Sequence, residues 1–246
     1  MDSIKTFLLA LAAFALVSAC GQSQESEALA DSELAPIEES ASVEVEAAAE
    51  SVEVVEEAEI ISAVYSIVPG ESMARFELDE DLRSADTGWG AWTRITVVGD
   101  TDQVFGDIAL DTANLANTQL ADIKIDANTF YTVEFVRKRN IQTKILESEI
   151  YQFITFEPTN IRDMPETAQI GDTITFNLDG DLMIREISLP QTFAVTATLT
   201  SADEIVGSAS TVVTRESYEL KVPDVPHVNF VEDEVELYID FVARTP

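Results

Sequence analysis

Polar and apolar residues alternate with a period of two along most of residues 60–246. Across 172–179 this sets Ile174, Phe176 and Leu178 on one face, against Thr173, Thr175 and Asn177 on the other. Phe193, Val195, Ala197 and Leu199 repeat the pattern, and Val235, Leu237, Ile239 and Phe241 repeat it against Glu234, Glu236, Tyr238 and Asp240. A period of two places successive side chains on opposite faces of a strand, so each run predicts a strand with one buried face. Further strands are expected over 63–68, 73–78, 95–98, 105–110, 121–127, 154–156 and 208–214. Residues 136–146 depart from alternation and set Val136, Asn140 and Lys144 at helical spacing, which predicts a short helix. Many strands with one apolar face each imply an antiparallel sandwich or barrel. Periodicity does not choose between them. A closed barrel leaves no exposed sheet edge, and eight strands leave room for a small ligand.

The start of the chain has a different character. Lys5 precedes an unbroken apolar run over 7–17. That run is short of the roughly 20 residues a membrane-crossing helix needs, and it suits the core of a secretory signal peptide. Val17-Ser18-Ala19-Cys20 resembles a bacterial lipobox, in which the cysteine becomes the first mature residue and is acylated on its thiol and amino group. Residues 1–19 are therefore read as a lipoprotein signal peptide. Cys20 is the chain's one cysteine, so no internal disulfide can form, and acylation would remove an orphan thiol from an oxidising compartment. Gly21, by resemblance to the Gram-negative sorting rule, favours the outer membrane and a periplasmic location.

Residues 20–59 form the second region. From Gln22 to Glu59 there are thirteen acidic residues, no Lys or Arg and no aromatic residue. Self-repulsion and the lack of large apolar groups predict an extended, disordered tether. A helix is the alternative, since Ala and Glu are good helix formers. The tether accounts for −13 of the formal −32, and residues 60–246 for −19, with Asp2 and Lys5 cancelling. Such a charge is expected to repel both nucleic acid, which is excluded as a partner, and anionic lipid head groups.

Five pieces of the domain, in order, resemble the YceI-like family. They are 77–83 with 96–111; Arg139-Asn140 with Ile145-Leu146 and 150–156; 180–193; 214–226; and 233–237. The second resembles an Arg-Asp…Leu…Tyr-Pro-x-Ile-x-Phe signature, with Asn140 at the Asp position and Phe153 after Gln152 where Pro is usual. The third resembles Gly-x-Leu-Thr-Ile-x-Gly-Val-Thr-x-Pro-Val, with Met183 and Glu186 at a Thr and a Gly position. The resemblance runs from about Tyr65 to Ala243. It implies an all-β fold, an elongated eight-stranded antiparallel lipocalin-like barrel with one short helix, enclosing an apolar tunnel for polyisoprenoid or isoprenoid quinone lipids. It also makes one strand run through Gly180 to Ile184, with the turn at 186–190. The Asp179-Gly180 dipeptide taken alone would mark a hairpin; in a through-strand Gly180 can serve a bulge.

The tunnel-lining residues expected from inward parity are Phe105, Ile123, Ile125, Phe176, Leu178, Phe193, Val195, Leu199, Leu237, Ile239 and Phe241. The same residues would equally fill a closed core. Trp89 and Trp92 are candidates for an aromatic lip at the mouth, or for loop packing. Arg137, Lys138 and Arg139 could face a quinone or pyrophosphate head group, although a solvated helix face is the plainer reading. No catalytic constellation is visible. His227 is the single histidine, set between Pro226 and Val228 as a loop residue, and no thiol remains after lipidation. Asn177-x-Asp179-Gly180-Asp181 lacks the glycine and terminal glutamate of a calcium loop. The expectation is a non-enzymatic lipid-binding lipoprotein with no metal and no cofactor beyond a bound isoprenoid lipid; a filled structural barrel is the alternative. The oligomeric state, a dimer included, stays open.

Overall fold

The computed structural model describes residues 59–83 and 89–246. The expected signal peptide, Cys20 and nearly all of the acidic tether lie outside the described residues.

Alternation becomes register most plainly in the two longest strands, β9 (Thr173–Ile184) and β10 (Ile187–Ser201). They pair without interruption from Ile184↔Ile187 to Thr173↔Thr198, so the turn is Arg185-Glu186 alone. Phe176, Leu178, Gly180, Leu182 and Ile184 of β9 share a buried face with Phe193, Val195, Ala197 and Leu199 of β10. The expectation of one strand through Gly180 holds. The expected turn at 186–190 is too long: Ile187 already pairs, and Pro190 stands in β10 opposite Asp181. Pro190 is tolerated because β10 has only β9 beside it there; pairing with β11 (Glu204–Thr214) begins at Ala194. The residue with positive φ is Arg185, at 56°, and not Glu186 at the family's glycine position.

Ten further strands and those three form one sheet. They are β1 (Ser62–Ile67), β2 (Met73–Leu82), β3 (Thr93–Thr101), β4 (Val104–Phe105), β5 (Asp107–Asp111), β6 (Gln119–Leu120), β7 (Ile123–Asp126), β8 (Phe153–Arg162), β12 (Val228–Val231) and β13 (Glu234–Arg244). Several are pieces of one longer run. β1 and β2 both pair with β13, through Ile67↔Ala243 and Met73↔Asp240, so they extend in one direction across a break at 68–72. By the same reasoning β3, β4 and β5 form one run, β6 with β7 another, and β12 with β13 a third. Eight antiparallel runs result, each beside its neighbour in sequence. The last lies beside the first: β13 pairs with β11 over its whole length and with β1 and β2 on its other side. The ring therefore closes as an up-and-down barrel, and the closure and the buried core are complete within residues 61–243. Closure removes the edges at which sheets aggregate.

The ladder has one gap. β7 pairs with β4 and β8, but the chain leaves the sheet after Asp126, and β3 pairs with β2 and otherwise makes only an isolated bridge from Asp100 to Tyr131. Residues 127–152 stand across that gap, with α1 (Phe135–Asn140) at the centre. A π-helical turn follows over Ile141–Ile145, closed by a Leu146 N–H to Ile141 carbonyl bond of 2.8 Å. This agrees with the helix expected over 136–146.

Candidate functional site

Of the eleven positions expected to face inward, ten border the interior of the barrel. The interior is not filled by side chains. It holds two apolar chambers separated by a waist. The smaller, about 90 Å³, lies toward the end of the barrel where β10 turns into β11. Phe176, Leu178, Val195, Leu199 and Phe241 line it, and Leu115, Met164 and Ala168 join them from the connections at that end. Thr118 and Asp172 are its two polar neighbours. The larger chamber, about 480 Å³, lies toward the α1 end, with Ile125, Leu237, Val97 and Ile154 in its walls. That volume falls inside the range of roughly 300–1,000 Å³ common for small-molecule sites. Ile123, Phe156, Phe193 and Ile239 border both chambers and form the waist. Phe156 meets Phe193 edge-on, with centroids 4.9 Å apart, a favoured aromatic geometry.

Phe105 is the exception. It is 37% exposed and meets Phe153 edge-on at 6.4 Å, outside the barrel. Parity explains the correction. Val104, Ile108 and Leu110 are the buried positions of this run, so residue 105 points outward and Gly106 points in. A Cβ on Gly106 would lie 2.5 Å from Ile123 Cδ1, which leaves no room for a side chain there. Gly180 likewise faces inward, where a Cβ would strike the Phe156 ring and the Glu157 carbonyl. The register shift expected at Gly180 falls on the partner strand instead, between Pro158 and Asn160 of β8.

The large chamber is apolar at depth and polar toward its rim. Glu80 is the one charged residue on the inward face of β2, in sequence with Ala74, Phe76, Leu78 and Leu82. Its carboxylate is bonded by the Arg137 guanidinium of α1, and the two side chains are only 8% and 18% exposed. The expectation of a solvated helix face over 137–139 therefore fails for Arg137, which turns into the barrel. A buried charge is tolerated only when paired, so Glu80 requires a cation from the covering helix. Asn140 borders the same space. Sequence reasoning did not single out Glu80 or Phe156. The signal for Glu80 was present as a charge at an inward parity position; that for Phe156 was not, because its role depends on facing Phe193 across the barrel.

At the outer rim Trp89 packs on His227 with centroids 4.7 Å apart, and both border the chamber. Trp92 does not; the Arg83 guanidinium covers its ring at 4.2 Å. Of the two tryptophans, Trp89 alone borders the chamber. His227 is a loop residue at φ 77°, with its carbonyl accepting the Arg83 N–H. Arg215 also borders the chamber, but its guanidinium donates to the carbonyls of Glu232 and Val231 at 2.7 and 2.9 Å, which ties down the 215–233 loop. Among the described residues, no three His, Cys, Asp or Glu side chains converge on a possible metal position.

The sequence model of the YceI-like domain matches residues 65–243. No curated protein sequence matches the chain. Among solved structures, the fold is similar to a polyisoprenoid binding domain from Saccharophagus degradans implicated in plant cell wall breakdown. That match has a TM-score of 0.56 and 14% identity, and covers 74% of this chain and 98% of that one. It is also similar to BcnA of Burkholderia cenocepacia, with a TM-score of 0.50 and 16% identity over 69% of this chain and 95% of that one.

Proposed function

The chain belongs to the family of YceI-like domains, and from that premise we propose that it binds a polyisoprenoid or isoprenoid quinone lipid inside the barrel and sequesters or carries it at the cell envelope. The observation that carries this reading is the unfilled, apolar, two-chambered interior. A purely structural barrel would have packed that space, because voids larger than a few waters are rare and costly in protein cores. The Saccharophagus domain is described as polyisoprenoid binding, which agrees with the reading.

The gradient of polarity orients the ligand. The isoprenoid tail runs through the waist toward Phe176, Leu199 and Phe241. The head group stays beside Glu80, Arg137 and Asn140, which together offer donors and an acceptor. Burying one five-carbon unit from water gains roughly 4 kcal/mol at about 0.8 kcal/mol per carbon. A lipid leaving a bilayer forgoes most of this, since its tail is already in hydrocarbon. The protein thus acts as a carrier or buffer of modest net affinity.

The mature chain is anchored through acylated Cys20 to the outer membrane and faces the periplasm, with the acidic tether as spacer. A coil of that length reaches roughly 35 Å. Anchoring is checked by Cys20→Ser, which moves the protein from the membrane to the soluble fraction. Ligand binding is checked by native mass spectrometry of the domain from residue 59 purified from cells, followed by organic extraction. A co-purifying species of polyprenyl mass is the expected result. An apo mass that persists after incubation with quinones and polyprenols rejects the ligand reading in favour of a barrel with no lipid.

A further inference from the structure

The segment that covers the gap in the barrel carries a row of exposed apolar side chains. Tyr131, Val133, Phe135 and Val136 are 54%, 84%, 75% and 59% exposed. Four large apolar side chains exposed within six residues are unusual for a soluble surface and mark a contact site. Cations follow directly. Lys138 sits with its ammonium 5.5 Å from the Tyr131 ring, and Arg139 and Lys144 are exposed on the same helical stretch. None of these three makes an ion pair among the described residues, whereas Arg137 beside them is taken by Glu80. Residues 131–150 hold four cations against Glu134, Glu147 and Glu149, in a domain of net charge −19.

From this juxtaposition we propose that residues 131–144 are a membrane-docking surface: Val133, Phe135 and Val136 enter the head-group layer of a bilayer, and Lys138, Arg139 and Lys144 engage its anionic lipids. Apolar side chains beside Lys and Arg are the combination that holds a segment in the membrane interface. The domain's negative charge does not prevent this. At physiological salt the screening length is about 8 Å, so charges on the far side of the barrel are not felt at the contact. The orientation is set by this face alone, because it is the one that is attracted. The same segment presents Arg137, Ile141 and Ile145 to the large chamber, and Val136, exposed at the mouth, borders it as well. Docking there brings the rim of the tunnel against the bilayer. The inference goes beyond the ligand reading and stands without it, since docking is read from vesicle partition whatever the chamber holds.

The test uses the domain from residue 59, whose ring and core are complete in themselves and which has no cysteine. A polarity-sensitive fluorophore is attached at Val133→Cys, and in a second sample at Glu166→Cys beyond the other end of β8. Vesicles of phosphatidylcholine with 30% phosphatidylglycerol are expected to blue-shift the first probe and leave the second unchanged. In an unlabelled flotation assay, Lys138→Glu with Arg139→Glu lowers partition onto those vesicles at least tenfold. Phe135→Ser with Val136→Ser does the same, and none of the four residues is buried, so the fold stays intact, as circular dichroism checks. No shift at position 133, an equal shift at both positions, or equal partition onto vesicles of phosphatidylcholine alone overturns the proposal. Unchanged partition in the charge-reversed variant overturns it too, and points to a protein partner for this face instead.

Discussion

Phe193 borders both chambers and meets Phe156 across the waist, so a charge at that residue sits on the path proposed for the lipid tail. Phe193→Asp and Phe176→Asp are expected to abolish lipid retention in an extraction assay. Thr175→Asp, one position away on the outer face, retains the lipid. Normal retention in both phenylalanine variants would sink the tunnel assignment. Tyr218 offers a separate test. It is 2% exposed and its hydroxyl donates to the Leu182 carbonyl at 3.3 Å; burial pushes its pKa up to about 12 from the usual 10.0. A raised folded-state pKa means that the neutral form is the stable one, so its contribution is complete below pH 10.0 and is lost as the pH rises toward about 12. Tyr218→Phe lowers stability by about 1 kcal/mol at neutral pH and weakens this alkaline transition, which urea melts across that range would show. At this scale parity told most of the story. Ten of the eleven positions face the interior as parity predicts, and Phe105 faces out because a large aromatic was weighed above the phase set by Ile108 and Leu110.

Among the elements, the β9–β10 hairpin shows how a turn signal can mislead. Asp179-Gly180 has the composition of a tight turn, yet Gly180 lies in mid-strand, pairing with Gln191 and Pro158. What it supplies is space rather than a positive φ: the Phe156 ring lies where a Cβ would go. Gly180→Val should therefore cost about 1–3 kcal/mol or more through overpacking, measured by denaturant melts. A stability equal to wild type would show that the waist can relax around it. The reversal is carried instead by Arg185, whose strained φ is accompanied by an ion pair with Glu147 at 3.7 Å and a position over the Tyr151 ring. The helix over 136–146 was legible from its spacing. That its basic run splits, with Arg137 inward on Glu80 and Lys138 and Arg139 outward, was not, because nothing local to the helix shows the inward carboxylate 57 residues earlier.

For the molecule as a whole, the waist and the seam of the barrel make distinct predictions. Phe156→Leu opens the passage between chambers of about 480 and 90 Å³, and is expected to shift the co-purifying lipid toward longer chains at a modest loss of stability. An unchanged chain-length distribution would place the tail wholly in the large chamber. At the seam, Arg244 of the closing strand donates to Glu71 at 2.7 Å and to Glu204 at 2.8 Å, bridging the β1–β2 break and the start of β11. These bonds hold both glutamates below their usual 4.5, and Asp179 is held well below 3.8 by Arg162 and Thr192 on the outer wall. Lowered folded-state values give stability that is complete above those ordinary values and lost as the pH falls beneath them. Thermal stability should thus be level from pH 7 to about 5 and decline below about 4. Arg244→Gln removes the glutamate part of that decline.

The amino-acid sequence by itself determined most of the strands, their buried faces apart from Phe105, and the short helix, because alternation and helical spacing are written in neighbouring residues. It also carried the family likeness in five ordered pieces. Only the tertiary structure decided that the sheet closes as a barrel, that its interior stays open in two chambers, that Phe156 and Phe193 meet at a waist, and that Arg137 neutralises Glu80. Each of these depends on residues from runs far apart in the chain. A core and a tunnel wall use the same side chains and differ only in the distance between opposite walls, and that distance is a property of the closed ring.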